Sequence, residues 1–363
     1  MARFTSAASF IVDDIHITEE GGQKKEYKGI LGGAGPYALY GTRIWLNANT
    51  SQSLAFAAHV GSDCPQHSLT HLQSLGMSIK RHNHTYAHPY ASNSFDFSVD
   101  RSETRGFEFL TSQHEYATYF RILPDHLATE WLQTLEYVHL CLSGDRCIKW
   151  AEGYRDRLTR EEVTPVTGPP LIFWEPSPNC CVPSEYENFE KALDHVAVVS
   201  PNHQELSTLL GLPPSTESEI NLQLLTQKIH PLTTRTTFII RAGSRGCIVI
   251  PKRVSESDAL RVFHVPAYWT LADAAKVVDV TGAGNAFMGG LMAGFHCADT
   301  QSGERWLTAA LYGSVSASFV VEQFGPPVLS TDGEGVELWN GDSAERRLCI
   351  LKERFARNLI GLC

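Results

Sequence analysis

Short apolar runs alternate with amphipathic helical patterns along most of the chain, and this alternation restricts the folds available to it. Each apolar run is followed by Gly, Pro, Ser, Asn or Asp, which turn a chain or cap a helix. Helical patterns follow several of the runs, for example at Gln204–Leu210 and Ala286–Phe295. The pattern predicts a parallel sheet covered by helices. The candidate strands are Ser9–Val12, Leu54–Val60, Tyr137–Leu142, Leu171–Trp174, Val196–Ser200 and Phe238–Arg241.

Two stretches break this alternation. Residues 17–30 and 79–110 are polar and aromatic, and they alternate like exposed antiparallel strands. Because both lie between elements of the α/β body, they could meet in space as one small sheet. Such a sheet could close over an active site as a lid, or it could be a pair of edge hairpins without a functional role.

The C-terminal part of the chain has the pattern of an amphipathic helix. Ser343 can cap a helix that carries an apolar stripe on one face and basic side chains elsewhere. We expect this helix to dock on the body rather than to bind a membrane or a partner helix. The predicted organisation is an α/β domain over residues 1–330, with lid insertions at about 17–30 and 79–110, and a C-terminal extension over 331–363. The stripe contains Leu348, Leu351, Phe355 and Leu359, and the basic residues are Arg346, Arg347, Lys352, Arg354 and Arg357.

The composition excludes several classes of protein. Of the 363 residues, 43% are hydrophobic, which is enough to bury a sizeable core and excludes a mostly disordered chain. The formal net charge of -10 argues against broad contact with nucleic acid or an anionic membrane, since both need clustered Lys and Arg. Nine cysteines without a repeated spacing indicate free thiols in a reducing compartment. We expect a cytoplasmic protein with no nucleic-acid or membrane partner.

The strongest motif runs from Val277 to Phe287. An apolar lead-in reaches an acid and a glycine-rich turn, and a helix rich in small residues follows. Glycines allow a ligand to approach the backbone, and the start of a helix offers unpaired N–H groups with a partial positive charge. The motif predicts an anion hole for a transferring phosphoryl group, or else a tight turn whose glycines serve packing alone. Its candidate residues are Asp279, Thr281, Gly282, Ala283, Gly284 and Asn285.

Two groups of residues have side chains of the types that bind metal ions. Asn202 and Glu205 follow a predicted strand and are three residues apart, so both can face one ligand from the first turn of a helix. Mg²⁺ between them would relieve repulsion between the carboxylate and phosphates, whereas a simple helix cap explains the same spacing. His82, His84 and His88 have no matching acid or thiol spacing, so we expect no metal there.

Two further glycine turns stand at strand ends. Arg241, Gly243 and Gly246 form a strand end and a turn, where the arginine could pair with phosphate oxygens or lie exposed in a hairpin. Leu31–Ala38 is a glycine turn that opens an apolar helix, but it is only a weak match to a dinucleotide-binding fingerprint. No GxxxxGK[ST] sequence occurs, which disfavours the P-loop nucleotide-binding proteins.

Taken in order, these motifs resemble the PfkB (ribokinase-like) family of carbohydrate and nucleoside kinases. The correspondence runs from about Ser9 to Gly325. It implies a three-layer α/β/α sandwich with a central, mainly parallel sheet and a small β-sheet lid. Three stretches, Leu171–Pro176, Ser200–Glu205 and Thr104–Phe107, resemble the fungal branch of the family related to "maintenance of killer".

The resemblance also implies roles for individual residues. Asp13 corresponds to the acid that grips the acceptor substrate, and Asn202 with Glu205 corresponds to the motif that organises Mg²⁺, through water at Asn202, and the phosphates. ATP and Mg²⁺ are the implied cofactors, a monovalent cation is allowed, and the lid is a surface through which two copies could pair. The implied acceptor side contains Gly32, Gly33 and Tyr37, and the implied nucleotide side contains Arg241, Gly243, Gly246, Asp279 and Thr281.

The chain departs from the family pattern at three positions. Asn285 stands where the family has the Asp that accepts the proton of the substrate hydroxyl, and a carboxamide cannot accept a proton in a useful pH range. Tyr37 stands where sugar-binding members have Asn, which favours stacking or apolar contact. Arg241 replaces a frequent Thr and adds a positive charge near the expected phosphate site.

The predicted function is ATP-dependent phosphorylation of a hydroxyl on a sugar- or nucleoside-like molecule, slowed by Asn285. One alternative is a catalytically impaired protein that binds a nucleotide or sugar for regulation or assembly. Another is an enzyme that uses the anion hole for different chemistry on a phosphorylated compound. The sequence leaves open whether the protein is an enzyme.

Overall fold

A computed structural model describes the chain over residues 1–19, 22–96, 104–110, 120–213, 221–298 and 304–360. Residues 20–21 and 97–103 of the two predicted insertions lie outside this range. The strands are β1 (Phe4–Ser6), β2 (Ile11–Thr18), β3 (Lys24–Gly32), β4 (Leu54–Val60), β5 (Ser78–Asn83), β6 (Tyr90–Asp96), β7 (Thr104–Phe109), β8 (Tyr137–Leu142), β9 (Leu171–Pro176), β10 (Val198–Val199), β11 (Thr237–Arg241), β12 (Cys247–Ile250), β13 (Phe263–Val265), β14 (Leu329–Thr331) and β15 (Glu337–Trp339). The α-helices are α1 (Ala34–Arg43), α2 (Gln66–Ser74), α3 (Thr129–Leu132), α4 (Gly144–Arg160), α5 (Tyr186–Ala192), α6 (His203–Leu209), α7 (Leu222–Ile229), α8 (Ala283–Cys297), α9 (Arg305–Val320) and α10 (Ala344–Ile360).

A nine-stranded central sheet has the strand order β13-β12-β11-β10-β9-β8-β1-β4-β5. The strands from β11 to β5 are parallel, and β12 and β13 add an antiparallel edge. Every residue of β4 is buried, as expected for a parallel strand with both faces covered. The central sheet, its covering helices and a small separate sheet confirm the predicted α/β sandwich.

The small sheet, called the lid sheet below, has the order β3-β2-β6-β7. Ile15 and Ile17 of β2 are buried there, with Ile30 and Phe324 packed against them. Its limits differ from those of the predicted insertions, because β2 starts at Ile11 and residues 79–83 belong to β5 of the central sheet. The edge strand β5 exposes polar side chains on one face, which gives it the same pattern as a lid strand. The division of the chain into a domain, lid insertions and an extension remains a prediction.

The ends of other elements also differ from the prediction. The predicted first strand, Ser9–Val12, is wrong, because the chain enters the central sheet at Phe4–Ser6 and begins β2 only at Ile11. The polar residues Thr5 and Ser6 are fully buried in β1, so its apolar pattern is weak.

Helices α1, α8 and α9 pack against one another at backbone distance. An added Cβ on Gly41 would overlap the carbonyl oxygen of Ala286, and one on Gly289 would overlap that of Ala38. The Thr42 hydroxyl donates to the Gly289 carbonyl at 3.0 Å across this contact. The small residues of α8 therefore place its N-terminus firmly against the first helix.

The C-terminal helix docks on the body. Ser343 Oγ accepts a hydrogen bond from the Arg346 N–H at 3.2 Å, and Leu348 and Leu351 are buried. Arg347 differs from the expected basic face, because it is 4% exposed. Its guanidinium lies 2.7 Å from Glu322 and 2.9 Å from Asp342, and these carboxylates make its burial possible.

The described residues contain cysteines and helices that bear on disulfide formation and membrane spanning. Eight cysteines there are free thiols. None of the helices described combines the length and apolar character that crossing a lipid bilayer requires.

Four histidines meet where the chain enters and leaves the lid sheet. His59 Nδ1 lies 2.8 Å from His84 Nε2, and His59 Nε2 lies 2.9 Å from His126 Nδ1. His126 Nδ1 also accepts the Leu123 N–H at 3.0 Å, so His59 must donate to it and accept from His84. His82 completes the group, with its Nε2 2.8 Å from the His126 carbonyl oxygen. Hydrogen bonds between ring nitrogens thus join His84, His59 and His126 in a row.

Protonation should disrupt this histidine group. Burial, helped by the nearby His82, lowers the pKa of His84 and His126. The folded state then binds fewer protons than the unfolded chain below about pH 6.5, so the free energy of unfolding falls as the pH falls. Urea unfolding at pH 7.5 and 5.0 should show a smaller loss for His84→Gln, which can still donate to His59, than for the wild type. His264→Gln, at an exposed histidine elsewhere, should match the wild type, and an equal loss in all three proteins would contradict the prediction.

Candidate active site

The predicted anion-hole turn precedes α8. Gly282 has a φ of 76°, in the left-handed region that favours glycine, and an added Cβ would overlap the ring of Tyr37. Asp279 is buried, and its Oδ1 accepts hydrogen bonds from the Thr281 N–H at 2.8 Å and the Thr281 hydroxyl at 2.7 Å. Asp279, Thr281 and Gly282 therefore hold the shape of the turn, and their contacts with a ligand remain predictions.

Gly284, in the first turn of α8, leaves room for two charged side chains. An added Cβ on Gly284 would overlap Arg241 Nη1 and lie 3.0 Å from Glu175 Oε1. Of the first N–H groups of α8, that of Ala283 donates to the Val280 carbonyl at 3.2 Å. Those of Gly284 and Asn285 belong to the first helical turn, where N–H groups have no intrahelical acceptor and carry a partial positive charge. The absence of a side chain at Gly284 thus brings a guanidinium and a carboxylate against this helix end.

Glu175, the penultimate residue of β9, is the central acid of the site. Its Oε1 lies 2.7 Å from Arg241 Nη2, and its Oε2 accepts a hydrogen bond from Asn285 Nδ2 at 2.6 Å. His139 Nε2 lies 3.5 Å from the same Oε2. Burial alone would raise the pKa of Glu175, but the Arg241 guanidinium, with His139 and Asn285, outweighs it and holds that pKa below its usual value. Glu175 is therefore a buried, ionised carboxylate.

Asn202 and Glu205 form the helix cap that was one of the two interpretations of their spacing. Asn202 Oδ1 accepts the Glu205 N–H at 2.8 Å, and Glu205 Oε2 accepts the Asn202 N–H at 2.7 Å, at the start of α6. Glu205 Oε2 also lies 3.5 Å from Arg241 Nη2. Burial raises the pKa of Glu205, and Arg241 opposes that rise. The arginine is thus held between two acids rather than exposed in a hairpin.

The donor set permits Mg²⁺ but does not form a complete cage. Mg²⁺ binds one or two protein carboxylates and takes its other oxygen ligands from water and phosphate, so Glu205 with Asn202 fits such a role in chemistry. Over the described parts of the chain, no group of three or more His, Cys, Asp or Glu residues is arranged to hold a metal ion by itself. The assignment of Mg²⁺ to Asn202 and Glu205 remains a prediction.

A cavity of about 400 Å³ lies beside the turn between β11 and β12. Gly243 and Gly246 have φ values of 54° and 82°, and an added Cβ on Gly246 would overlap the Val265 carbonyl oxygen. The volume of this cavity and its mixture of polar and apolar lining residues are typical of a site for a nucleoside-sized ligand. The lining residues are Leu222, Ser244, Arg245, Ile248, His264, Pro266, Ala267 and Thr270.

The expected acceptor-side residues come from β2, from the turn after β3 and from the start of α1. Asp13 is 3% exposed in β2, and an added Cβ on Gly32 would overlap its Oδ2. Gly33 has a φ of 95°, so its turn requires glycine. The buried ring of Tyr37 lies against Gly282. The ring therefore joins the two glycine turns instead of lining an open pocket.

Sequence reasoning missed three buried members of the site. Glu175 was visible as an acid at the end of a predicted strand, and the carboxyl ends of parallel strands meet at one edge of a sheet. His139 lies within β8, with its Nδ1 2.9 Å from Ser6 Oγ. Neither His139 nor Ser6 stands in a motif, so only the strand order connects them with Glu175.

Comparisons with solved structures concern the fold of the chain. The fold is ribokinase-like: the chain resembles a putative ribokinase II from E. coli (TM-score 0.65, 15% identity, 98% of this chain and 100% of that one). It also resembles a fructokinase from Vibrio cholerae O395 in a form bound to fructose, ADP and calcium ion (TM-score 0.60, 18% identity, 90% and 94%).

Sequence comparison finds a matching family model and two relatives in fungi. Residues 177–331 match the pfkB family of carbohydrate kinases. The chain is 29% identical over 357 residues to an uncharacterized protein of Schizosaccharomyces pombe, covering 95% of this chain and 91% of that protein. It is also 29% identical over 343 residues to protein MAK32 of Saccharomyces cerevisiae, covering 92% and 87%. The predicted resemblance to the PfkB (ribokinase-like) family and to fungal proteins is confirmed.

Removal of the Arg241 guanidinium should lower the free energy of unfolding, because two buried acids then lack a cation. In Arg241→Met, Glu175 and Glu205 lose their cation, and breaking a buried pair costs about 3–5 kcal/mol of unfolding free energy. Because Arg241 holds the pKa of Glu175 low, the deficit should be largest at neutral pH and shrink as the pH falls towards about 4. Arg235→Met, which breaks the more exposed pair with Asp194, should cost about 0–1 kcal/mol. Equal losses for the two variants in urea unfolding would contradict the prediction.

Proposed function

We propose that the protein transfers a phosphoryl group from ATP to a hydroxyl of a sugar- or nucleoside-like molecule, at a low rate. One observation carries this proposal: the Gly282–Asn285 turn is contacted from both sides by the expected substrate-binding segments. Tyr37, from the helix after the acceptor-side turn, packs on Gly282, and Arg241, two residues before the nucleotide-side turn, packs on Gly284. The family match and the ribokinase-like fold support the same activity.

Each segment then has a task in the transfer. The buried Asp13 carboxylate binds an acceptor hydroxyl, and the cavity beside Gly243 and Gly246 binds the nucleoside part of ATP. The N–H groups at the start of α8 stabilise negative charge on the transferred group. ATP with Mg²⁺ would supply that group and neutralise part of its charge. The acceptor oxygen bonds to the γ-phosphorus while the bond to the bridging oxygen breaks, its electron pair stays on ADP, and the hydroxyl proton leaves on the phosphorylated product.

The low rate follows from Asn285. Its carboxamide can accept a hydrogen bond from the acceptor hydroxyl but cannot take the proton. A missing general base costs about 10²–10⁴ in rate, whereas positioning and charge stabilisation remain available.

Pairing of two copies through the lid sheet remains a prediction.

A second candidate is a protein that binds ligands without transferring a group. The position of the Arg241–Glu175 pair favours it, since this pair lies against the first turn of α8, where a phosphoryl group would have to approach. In that case the site would serve regulation or assembly.

The anion hole is tested by Gly284→Ala. The added Cβ would displace Arg241 and crowd the helix start, so we expect phosphoryl transfer to fall by at least about 10², comparable to the loss of one oxyanion donor. Gly153→Ala is the matched control, because its Cβ would make an ordinary contact 3.6 Å from Pro124 in the middle of α4. Transfer from Mg²⁺-ATP to a panel of sugars and nucleosides is measured beside ATP binding by calorimetry.

The outcomes separate the two candidates. Transfer by the wild type and the Gly153 variant, lost in the Gly284 variant, supports the kinase. ATP binding without transfer to any acceptor supports the binding protein. No ATP binding by the wild type overturns the nucleotide site.

The acceptor side is tested by Asp13→Asn. Loss of a charge-assisted hydrogen bond of about 1.5–3 kcal/mol should raise KM for the acceptor about 10- to 100-fold and leave ATP affinity unchanged. Asp14→Asn is the control, since Asp14 follows on the same strand and its Oδ1 accepts the Gly29 N–H at 3.0 Å. A KM that stays the same in both variants would remove Asp13 from the proposed site.

A further inference from the structure

We propose that Glu175 and Asn285 act as one unit with a single negative charge, in which Glu175 is the positioning residue for the Asn285 amide. The role in transfer rests on the proposed function, whereas the pairing itself can be tested without activity. The two residues come from β9 and α8, 110 positions apart in the chain.

The chemistry of the contact fixes the orientation of the amide. An ionised carboxylate only accepts hydrogen bonds, so the Asn285 atom that faces Glu175 Oε2 at 2.6 Å must be Nδ2. The reverse orientation would place two acceptor oxygens against each other. Asn285 Oδ1 is therefore turned away from the carboxylate, and we assign to it the acceptance of the hydrogen bond from the substrate hydroxyl.

The surroundings of Glu175 make it a firm support. Arg241 Nη2 holds Oε1 at 2.7 Å, and His139 Nε2 lies 3.5 Å from Oε2. His139 is in turn placed by Ser6, and both of these residues are fully buried. A carboxylate held from several sides fixes the side chain that hydrogen-bonds to it, and catalytic groups need placement within about 0.5 Å.

The same contact prevents position 285 from carrying a charge. Glu205 already provides a second carboxylate on the other side of Arg241, so the cluster has two acids and one guanidinium. An aspartate at 285 would bring a third carboxylate within hydrogen-bond distance of Glu175. Two carboxylates so close cannot both ionise, so they would share a proton. Asn285→Asp alone is thus expected to create a strained pair rather than a general base.

The experiment compares Glu175→Gln, Asn285→Asp and the double variant, which exchanges the two side-chain types. In Glu175→Gln the amide of Asn285 loses its fixed orientation, so kcat should fall about 10²-fold while acceptor KM changes little. Asn285→Asp should not exceed the wild type. The double variant, with one carboxylate restored to the unit, should exceed both single variants by about tenfold or more and show a new acidic limb in its pH–rate profile.

A second readout needs no catalysis. In Asn285→Asp the shared proton raises a carboxyl pKa in the folded state, so its unfolding free energy should fall relative to the wild type as the pH rises from 5 to 8. The double variant should not show this loss. Asn188→Asp is the matched control, because Asn188 Nδ2 donates to Glu185 Oε2 at 2.9 Å in a more exposed place, where water should weaken the effect. Should Glu175→Gln fail to fold, the comparison of Asn285→Asp with Asn285→Ala decides the same question.

The failures are distinguishable. If Asn285→Asp is as stable at pH 8 as at pH 5 relative to the wild type, and is at least as active as the double variant, the unit does not exist. If the pH-dependent loss occurs but none of the four proteins transfers phosphate, the charge unit stands and the proposed function fails.

Discussion

The Arg241 guanidinium holds the candidate site together. It lies between Glu175 and Glu205, and its Nε and Nη2 donate to the Ser200 carbonyl at 3.2 and 3.0 Å. Through these contacts the ends of β9, β10 and β11 are tied to the first turns of α6 and α8. A buried ion pair adds little net stability compared with apolar packing, because desolvation offsets the attraction. Its effect here is on placement, since each acid is costly to bury without the arginine.

This arrangement restricts what can bind at the start of α8. When both acids are ionised, two carboxylates and one guanidinium leave an excess of one negative charge, and this charge opposes the approach of a phosphate. A phosphate would have to compete with Glu175 for Arg241, or bring a cation that neutralises the second acid. Under the proposed function, Mg²⁺ brought with the phosphates would neutralise the second acid.

The parts that sequence predicted correctly are those that local pattern determines. Strands Leu54–Val60 and Tyr137–Leu142 have the predicted limits, because both are apolar runs that end in turn residues. Strand β5 was misassigned, because an exposed edge strand of a parallel sheet has the same pattern as a lid strand. The turn from Asp279 to Asn285 could be predicted as a unit since its residues are neighbours in the chain. The contact of Glu175 with Asn285 could not, because it depends on the order of strands in the sheet.

Packing and hydrogen bonds connect the lid sheet with the turn before α8, although the two are far apart in sequence. Asp13 lies on β2, and the apolar side of that strand packs on Phe324. The segment containing Phe324 follows α9, and the Val321 carbonyl in it accepts the N–H groups of Val278 at 2.7 Å and Asp279 at 3.2 Å. A displacement of the lid sheet would therefore act on the acceptor-side acid and on the turn before α8 together. Under the proposed function, binding of an acceptor at Asp13 and of a phosphate at α8 would therefore favour the same position of the lid sheet, because one set of packed residues connects the two places.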